Sequence, residues 1–294
     1  MRKFIVSDLH GDGSAYYSIM HYLENVNKYD ELILYINGDL IDRGSDSMYM
    51  LLDVIDRIKN KKGFPIKYLG GNHELMMYEA LNNGSHNLYA KSTWYANGGG
   101  VTNNTLSDLL NKKEILEIIK YISELDIYYK FKEKLDDKQI VLVHAKCPEE
   151  VKDICNLKIK DKDYRVSKYV WTRESDLNIM LKESLGHEDY FTIIGHTPVR
   201  NEKGYIYSSK YNCMDIDGGC ACYVSGYNGY DHIPLIEIDE KNNRLEILTF
   251  NNNNEIIDGN YFMNKKSIGI SNEELNKKRK YIDKDVKVKK LEYM

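Results

Sequence analysis

The sequence predicts an α/β protein made of two packed β-sheets, and three observations carry that expectation. Short apolar runs rich in β-branched and aromatic residues alternate with helical patterns from Lys3 to Leu69. Further strand candidates follow one another closely in the second half of the chain, as in a mixed or antiparallel sheet. Five of the apolar runs also end directly in Asp, Asn or His, the place where open α/β sheets bind their ligands. With 294 residues, 34.3 kDa and 42% hydrophobic residues, the chain can bury a substantial core.

In chain order, Lys3 to Val6, Leu32 to Ile36 and Ile66 to Leu69 read as strands, and Ser14 to Val26 and Ser47 to Lys59 as the helices between them. A β-α-β-α-β series implies parallel strands with helices on the sheet faces. From Thr105 to Ile122 apolar residues (Leu106, Leu109, Leu110, Ile115, Leu116, Ile118, Ile119, Ile122) recur near helical spacing, which predicts a helical insertion over about residues 84–126. Strands are then expected at Gln139 to Val143, Phe191 to Ile194, Tyr205 to Tyr207, Cys213 to Ile216, Ile233 to Ile238 and Leu245 to Phe250, enough for a second sheet on the first. No solenoid repeat and no Pro-rich or Gly/Ser-rich linker divides the chain, so residues 1–250 read as one domain. Residues 251–294 read as a C-terminal extension. Its charged tail from Ser271, with Lys277, Lys278, Arg279 and Lys280 among acidic residues, is expected to be a solvated helix or loose end.

Composition excludes several classes. Lysine and arginine number 41 against 45 acidic residues, a net charge of −4, so the chain lacks the basic footprint of a dedicated nucleic-acid binder. Any anionic ligand must be held by a local site. No apolar run approaches the ~18 residues of a membrane span. Five cysteines (Cys147, Cys155, Cys213, Cys220, Cys222) form no C-x-x-C pair and no even disulfide framework, which suits a reducing compartment. A cytoplasmic protein without membrane contact is the expectation.

The chemistry concentrates where strands end: FIVSDLHG (Asp8, His10), LYINGDLIDRG (Asp39, Asp42, Arg43), KYLGGNHE (Asn72, His73), IVLVHA (His144) and TIIGHTP (His196). One histidine after a strand is ordinarily structural; five such tips converging on one crevice reverse that reading. His21, His86, His187 and His232 lack partner ligands and keep the structural reading. Asp, His and an Asn carbonyl, without a cysteine at any tip, suit Mn²⁺, Fe²⁺ or Zn²⁺ better than a thiolate site does. Five or six such ligands exceed the three that one catalytic zinc uses. A two-metal centre accounts for them, with ions ~3.5–4 Å apart.

The motifs SDLHG, GDLIDRG, GNHE, VHA and GHTP resemble those of the calcineurin-like metallophosphoesterases, in particular the phosphoprotein phosphatase branch with its bacterial and phage serine/threonine phosphatases. The resemblance runs from Asp8 to about Asp217. It implies a four-layer αββα sandwich of two mixed sheets flanked by helices. It also implies that Asp8 and His10 hold a first metal, that Asp39 bridges both, and that Asn72, His144 and His196 hold the second. His73 would protonate the leaving group, oriented by Asp42, while Arg43 and Arg173 (in WTRE, Trp171 to Glu174) would clamp the phosphoryl oxygens. The activity implied is phosphomonoester hydrolysis by direct attack of a metal-bridging hydroxide, with two divalent ions, Mn²⁺ first and Fe or Zn next. The substrate would be a phosphorylated protein or a small phosphoester; the acidic balance of the chain argues against a nucleic acid without excluding one.

The residues support that scheme in their own right. Two divalent ions, two carboxylates and one hydroxide leave the centre cationic, so it attracts a phosphate dianion. Water shared between two ions has its pKa lowered toward ~7. Planar guanidinium groups match phosphoryl oxygens better than lysine does. A serine or threonine alkoxide leaves poorly, so general acid catalysis by a histidine is worth ~10²–10⁴-fold. Two positions depart from the family pattern, Ser7 where Gly is usual and Lys146 where Gly is common. MDIDGG, with Asp215 and Asp217, reads as a tight glycine turn, and Cys220 and Cys222 beside it as small buried residues. The same centre can serve a bis(5'-nucleosyl)-tetraphosphatase, a nucleic-acid end phosphatase or a cyclic phosphodiesterase. A non-catalytic module would be marked by a missing ligand, acid or arginine, and none is missing.

Overall fold

A β-α-β-α-β chain that buries both faces of its strands must run them parallel, and the computed structural model of the protein shows this. It describes residues 1–82, 87–146, 156–161, 163–173, 189–201, 203–208, 212–227, 232–239, 244–251 and 256–259. β1 (Arg2–Val6), β2 (Leu32–Asn37) and β3 (Ile66–Leu69) are parallel neighbours, with Val6 opposite Ile36 and Asn37 opposite Leu69. Side chains alternate across a strand. Phe4, Val6, Leu34 and Ile36 therefore pack with Tyr17, Met20 and Leu23 of α1 (Gly13–Val26) and Leu51 and Val54 of α2 (Ser47–Asn60). Ile5, Tyr35 and Leu69 point the other way, into the layer between the sheets.

The insertion is helical but not continuous. After α3 (Asn72–Asn82) come α4 (Leu88–Ala96), α5 (Gly99–Leu109) and α6 (Lys112–Ser123). The chain turns extended at Leu110, and Asn111 starts α6 with a capping box, its side chain accepting from Lys113 N and Glu114 N while Glu114 caps the Asn111 N–H. The apolar spacing from Thr105 to Ile122 runs through this break: Leu106 and Leu110 are buried on one side of it and Ile118, Ile119 and Ile122 on the other, while Leu116 is exposed.

The second sheet contains β4 (Tyr128–Leu135), β5 (Lys138–Val143), β6 (Tyr190–Ile194), β7 (Ile206–Ser208) and β8 (Cys213–Asp215), in the order β4-β5-β6-β8-β7. β5, β6 and β8 are parallel, and the flanking strands antiparallel. α7 (Tyr164–Trp171) lies between β5 and β6 in the chain, and the short α8 (Cys220–Val224) follows β8. β9 (His232–Asp239), β10 (Arg244–Asn251) and β11 (Ile256–Gly259) then join the first sheet, giving β11-β10-β9-β1-β2-β3. Phe131, Leu142, Ile193 and Met214 from one sheet meet Ile5, Tyr35 and Ile236 from the other. The expected α/β sandwich of two mixed sheets flanked by helices is present.

Two strands escaped the apolar-run reading. β4 places Lys130, Lys132 and Lys134 outward and buries Phe131 and Leu135, the pattern of a charged edge strand. β11 pairs with β10 past residue 250, where the sequence pattern ends. No helix among the described residues is long and apolar enough to cross a membrane. Cys213, Cys220 and Cys222 are not in disulfides. His86, His187, Cys147, Cys155, Glu174 and the tail from Ser271 lie outside the described residues.

Candidate metal centre and active site

Parallel register delivers the first two motifs side by side. Two residues past β1, Asp8 N donates to the Gly38 carbonyl (3.3 Å), His10 N to Asp39 O (2.9 Å) and Gly11 N to Leu40 O (2.9 Å). His144, just past β5, sits beside Gly195, whose N–H donates to the His144 carbonyl (2.8 Å). The two sheets are tied together at this end. Asn37 donates through Nδ2 to Val143 O (3.1 Å) and accepts at its carbonyl from His144 Nδ1 (2.8 Å), while His196 N donates to the Asp8 carboxylate (3.0 and 3.1 Å). Ser7 Oγ lies within hydrogen-bond reach of Asp8 Oδ2 and of the Asn37 carbonyl, so the departure from Gly adds a donor to the site. Gly71 is required where it is, because a Cβ there would collide with the Asp39 carboxylate.

Backbone strain collects at the same place. Asp8, His10, Asp39, Asp42, Arg43 and His196 all have φ between 42° and 74°, a left-handed conformation that costs roughly 1–2 kcal/mol per L-residue. Such strain persists only where surrounding contacts over-determine it, and it marks functional sites.

Eight of the ten residues singled out from the sequence are drawn into one buried centre: Asp8, His10, Asp39, Asp42, Asn72, His73, His144 and His196 are each at most 2% exposed. In one half, Asp39, His144 and His196 present ligand atoms within 4.8 Å of one another. His144 Nδ1 is committed to the Asn37 carbonyl, and His196 Nε2 to the Trp171 carbonyl (3.2 Å). Each ring then turns its other nitrogen inward: His144 Nε2 lies 3.1 Å from Asn72 Oδ1 and 3.3 Å from Asp39 Oδ1, and His196 Nδ1 lies 2.9 Å from Asn72 Oδ1. With the inward nitrogens unprotonated, these atoms are all acceptors and could hold a cation.

In the other half, His10 Nδ1 donates to the Ile41 carbonyl (3.1 Å), and its Nε2 faces Asp39 Oδ2 (3.4 Å) and Asp8 Oδ1 (4.0 Å). Asp39 thus turns one oxygen to each half. The donor set fits a pair of divalent ions. The ligand atoms that lie within 4.8 Å of one another in this half are those of His10, Asp39 and His73, with Asp8 beside them; His73 Nε2 is 3.9 Å from Asp39 Oδ2, but its Nδ1 is hydrogen-bonded to Asp42 Oδ2 (2.7 Å) and Nε2 is approached by Arg43 Nη2 (3.4 Å).

The electrostatics separate the histidines by task. Burial, then His73, lower the pKa of His10; burial, then His144 and Arg173, hold His196 well below its ordinary value. Neutral imidazole is the ligand form. Burial also opposes charge on His73, but Asp39 and Asp42 outweigh it and raise its pKa. His144 behaves likewise: burial is overcome by Asp39 and Asp8, and its pKa rises to about 10 in the metal-free protein. That field is available to a metal ion instead of a proton. At pH 8, below that raised value, metal-free His144 is protonated and must lose its proton to bind, so Mn²⁺ binding is expected to release about one proton per chain. Affinity should therefore climb as pH rises toward 10. Titration calorimetry in two buffers of different ionisation heat reads the proton directly; identical enthalpies in both would contradict the assignment.

Three buried residues carry structure here that motif reading left without a role. Glu74 accepts four hydrogen bonds, from Asp39 N (2.8 Å), Gly71 N (2.8 Å), Leu40 N (3.1 Å) and Tyr68 OH (2.6 Å), and so fastens the Asp39 loop to the Asn72 loop. Trp94 and Thr102, in the helical insertion, both bond the Asp42 carboxylate. Glu74 was visible as the last letter of GNHE; Trp94 and Thr102 belong to no motif in the sequence. Arg43 lies at the edge of the buried centre, partly exposed. Arg173, just past α7, is exposed and close enough for its charge to act on His196, Asp217 and Cys222. Asp215 Oδ1 accepts from Asp217 N (3.0 Å) and Asp217 Oδ1 from Gly219 N (2.8 Å), which builds the turn before α8.

A sandwich of two mixed sheets whose strand tips meet in Asp/His clusters is the architecture of a dinuclear phosphoesterase. The description "Calcineurin-like phosphoesterase" matches residues 1–233, and the chain belongs to that family of metal-dependent hydrolases. Serine/threonine-protein phosphatase 2 of Escherichia coli (strain K12) is 38% identical over 96 residues, 33% of this chain and 38% of that protein. The symmetrical bis(5'-nucleosyl)-tetraphosphatase of Erwinia tasmaniensis is 26% identical over 146 residues, 49% of this chain and 44% of that protein. The matched stretches thus span about two fifths of these curated relatives. A protein serine/threonine phosphatase structure from Saccharomyces cerevisiae shares the fold, with a TM-score of 0.51 and 14% identity over 85% of this chain and 80% of that one.

Proposed function

We propose that the chain is a metal-dependent phosphomonoesterase acting on phosphoserine and phosphothreonine in proteins. The observation that carries this reading is the shared carboxylate of Asp39, with one oxygen in each ligand cluster and His73 at its side. Asp8, His10 and Asp39 would hold one ion, and Asp39, Asn72, His144 and His196 the other, with Mn²⁺ first and Fe or Zn as alternatives for this O/N set. When bound, the pair would lower the pKa of a shared water toward ~7 and neutralise phosphoryl charge. The remaining steps fall to the chain. Arg43 and Arg173 hold the equatorial oxygens, Arg43 Nη2 standing 3.4 Å from His73 Nε2 so that guanidinium and imidazole face the same phosphoryl group. His73, with Nδ1 bonded to Asp42 and its pKa raised, donates the Nε2 proton to the departing alkoxide.

The likeness to the Erwinia protein supports a second reading, hydrolysis of a dinucleoside tetraphosphate on the same centre. A kinetic comparison with added Mn²⁺ separates the two: phosphoserine and phosphothreonine peptides, diadenosine tetraphosphate, a 2′,3′-cyclic nucleotide and a 3′-phosphorylated oligonucleotide. The phosphopeptides are expected to show the highest kcat/KM. A higher value for the tetraphosphate would replace the first reading with the second, and a higher value for either nucleic-acid-type substrate would overturn both.

A further inference from the structure

We infer that Trp94 and Thr102, carried by the helical insertion, are positioning residues that set the Asp42–His73 pair, and that the corner between α4 and α5 is the mould for the phosphate-binding loop. The inference rests on His73 acting as the acid.

The Asp42 carboxylate is held at both oxygens. Oδ2 accepts from His73 Nδ1 (2.7 Å) and Trp94 Nε1 (2.8 Å), and Oδ1 accepts from the Thr102 hydroxyl (2.6 Å). The same hydroxyl accepts from Asp42 N (3.1 Å), so Thr102 fixes the backbone and the side chain of one residue at once. Asp42, Trp94 and Thr102 are all fully buried. Neither Trp94 nor Thr102 can touch substrate, and any effect they have on the reaction must pass through Asp42.

The loop they hold does not relax into place by itself. Asp42 and Arg43 are consecutive left-handed residues, φ 74° and 70°, a conformation costing roughly 1–2 kcal/mol each. What over-determines it comes from the α4–α5 corner: Thr102 on Asp42 N, the Gly98 carbonyl on Arg43 N (3.2 Å) and the Asn97 carbonyl on Arg43 Nε (3.4 Å). Gly98 has φ 97°, and a Cβ on it would press on Arg43 Cγ at 2.6 Å, so the corner and the arginine are in direct contact. One helical corner therefore aims both the group that binds phosphate and the carboxylate that orients the acid. A carboxylate released on one side can rotate away from Nδ1, and an imidazole without that anchor loses its aim at the leaving oxygen; misplacement on the ångström scale can cost ~10²-fold.

The test uses the full chain loaded with Mn²⁺. Trp94→Phe keeps most of the ring volume and removes the N–H; Thr102→Val keeps the shape and removes the hydroxyl; Thr102→Ser restores it. For Trp94→Phe and Thr102→Val, kcat on a phosphoserine peptide is expected to fall about 10–100-fold with KM near wild type. The fall should be smaller on p-nitrophenyl phosphate, whose leaving group needs no proton, and Thr102→Ser should recover most of the loss. Combined with Asp42→Asn, Trp94→Phe should add little, because both act through one carboxylate. Unchanged kcat in both variants, equal losses on both substrates, or full additivity with Asp42→Asn would overturn the inference. Should Trp94→Phe not fold, the Thr102→Val and Thr102→Ser pair decides alone. Failure of the underlying reading looks different: Asp42→Asn and His73→Gln would then themselves show no dependence on the leaving group.

Discussion

Asp39→Asn is expected to lose bound manganese from both halves of the centre at once. Its Oδ2 stands 3.4 Å from His10 Nε2 and its Oδ1 3.3 Å from His144 Nε2, so one carboxylate charge serves both ligand clusters. Removing a unit charge a few ångströms from a divalent ion costs several kcal/mol even at an effective dielectric of about 20. Affinity for each ion should fall by roughly 10³-fold or more, and turnover with it. Asn72→Ala makes the contrast, because Asn72 Oδ1 faces His144 and His196, which belong to one half. That variant should weaken one ion and spare the other. Metal content after dialysis, with titration calorimetry, reads both variants. Two ions retained by Asp39→Asn at wild-type affinity would contradict the shared position.

His73→Gln should separate chemistry from metal binding. Its Nε2, 3.9 Å from Asp39 Oδ2, is near enough that a ligand role competes with the acid role. One contact favours the acid, the Asp42 carboxylate on Nδ1; the Arg43 guanidinium 3.4 Å from Nε2 opposes a metal ion there and also opposes charge on the ring, but Asp39 and Asp42 outweigh it. The substitution is therefore expected to keep both ions while kcat on alkyl phosphates drops ~10²–10⁴-fold, and by much less on p-nitrophenyl phosphate. Loss of an ion would make His73 a ligand; an equal loss on both substrates would remove it as the proton donor.

Much of this centre is legible in the sequence because the physics is local. Short apolar runs rich in β-branched and aromatic residues, such as Phe4 to Val6 and Val141 to Val143, read as buried strands, and a polar residue directly after such a run then falls at the strand tip. Parallel pairing then brings Asp8 beside Asp39, and His144 beside His196, without further information. What stayed hidden depends on contacts between distant segments. Trp94 reads as an ordinary core residue, and only the packing of α4 against the Asp39–Gly44 loop turns its N–H toward Asp42. Glu74 stands beside His73 in the chain, but two of its four partners, Asp39 N and Leu40 N, lie more than thirty residues away. β4 was invisible for another reason: alternating lysines dilute its apolar character because it is an edge strand with one face in water. The break between α5 and α6 was masked because periodicity counts faces and cannot see a capping box.

The most direct test of the central claim is anomalous diffraction from crystals of the protein grown with Mn²⁺. Two manganese peaks ~3.5–4 Å apart are predicted. One should be coordinated by Asp8, His10 and Asp39, the other by Asp39, Asn72, His144 and His196, with His73 outside both coordination spheres. A single peak, or a peak bound by His73 with Asp8 left out, would contradict the account.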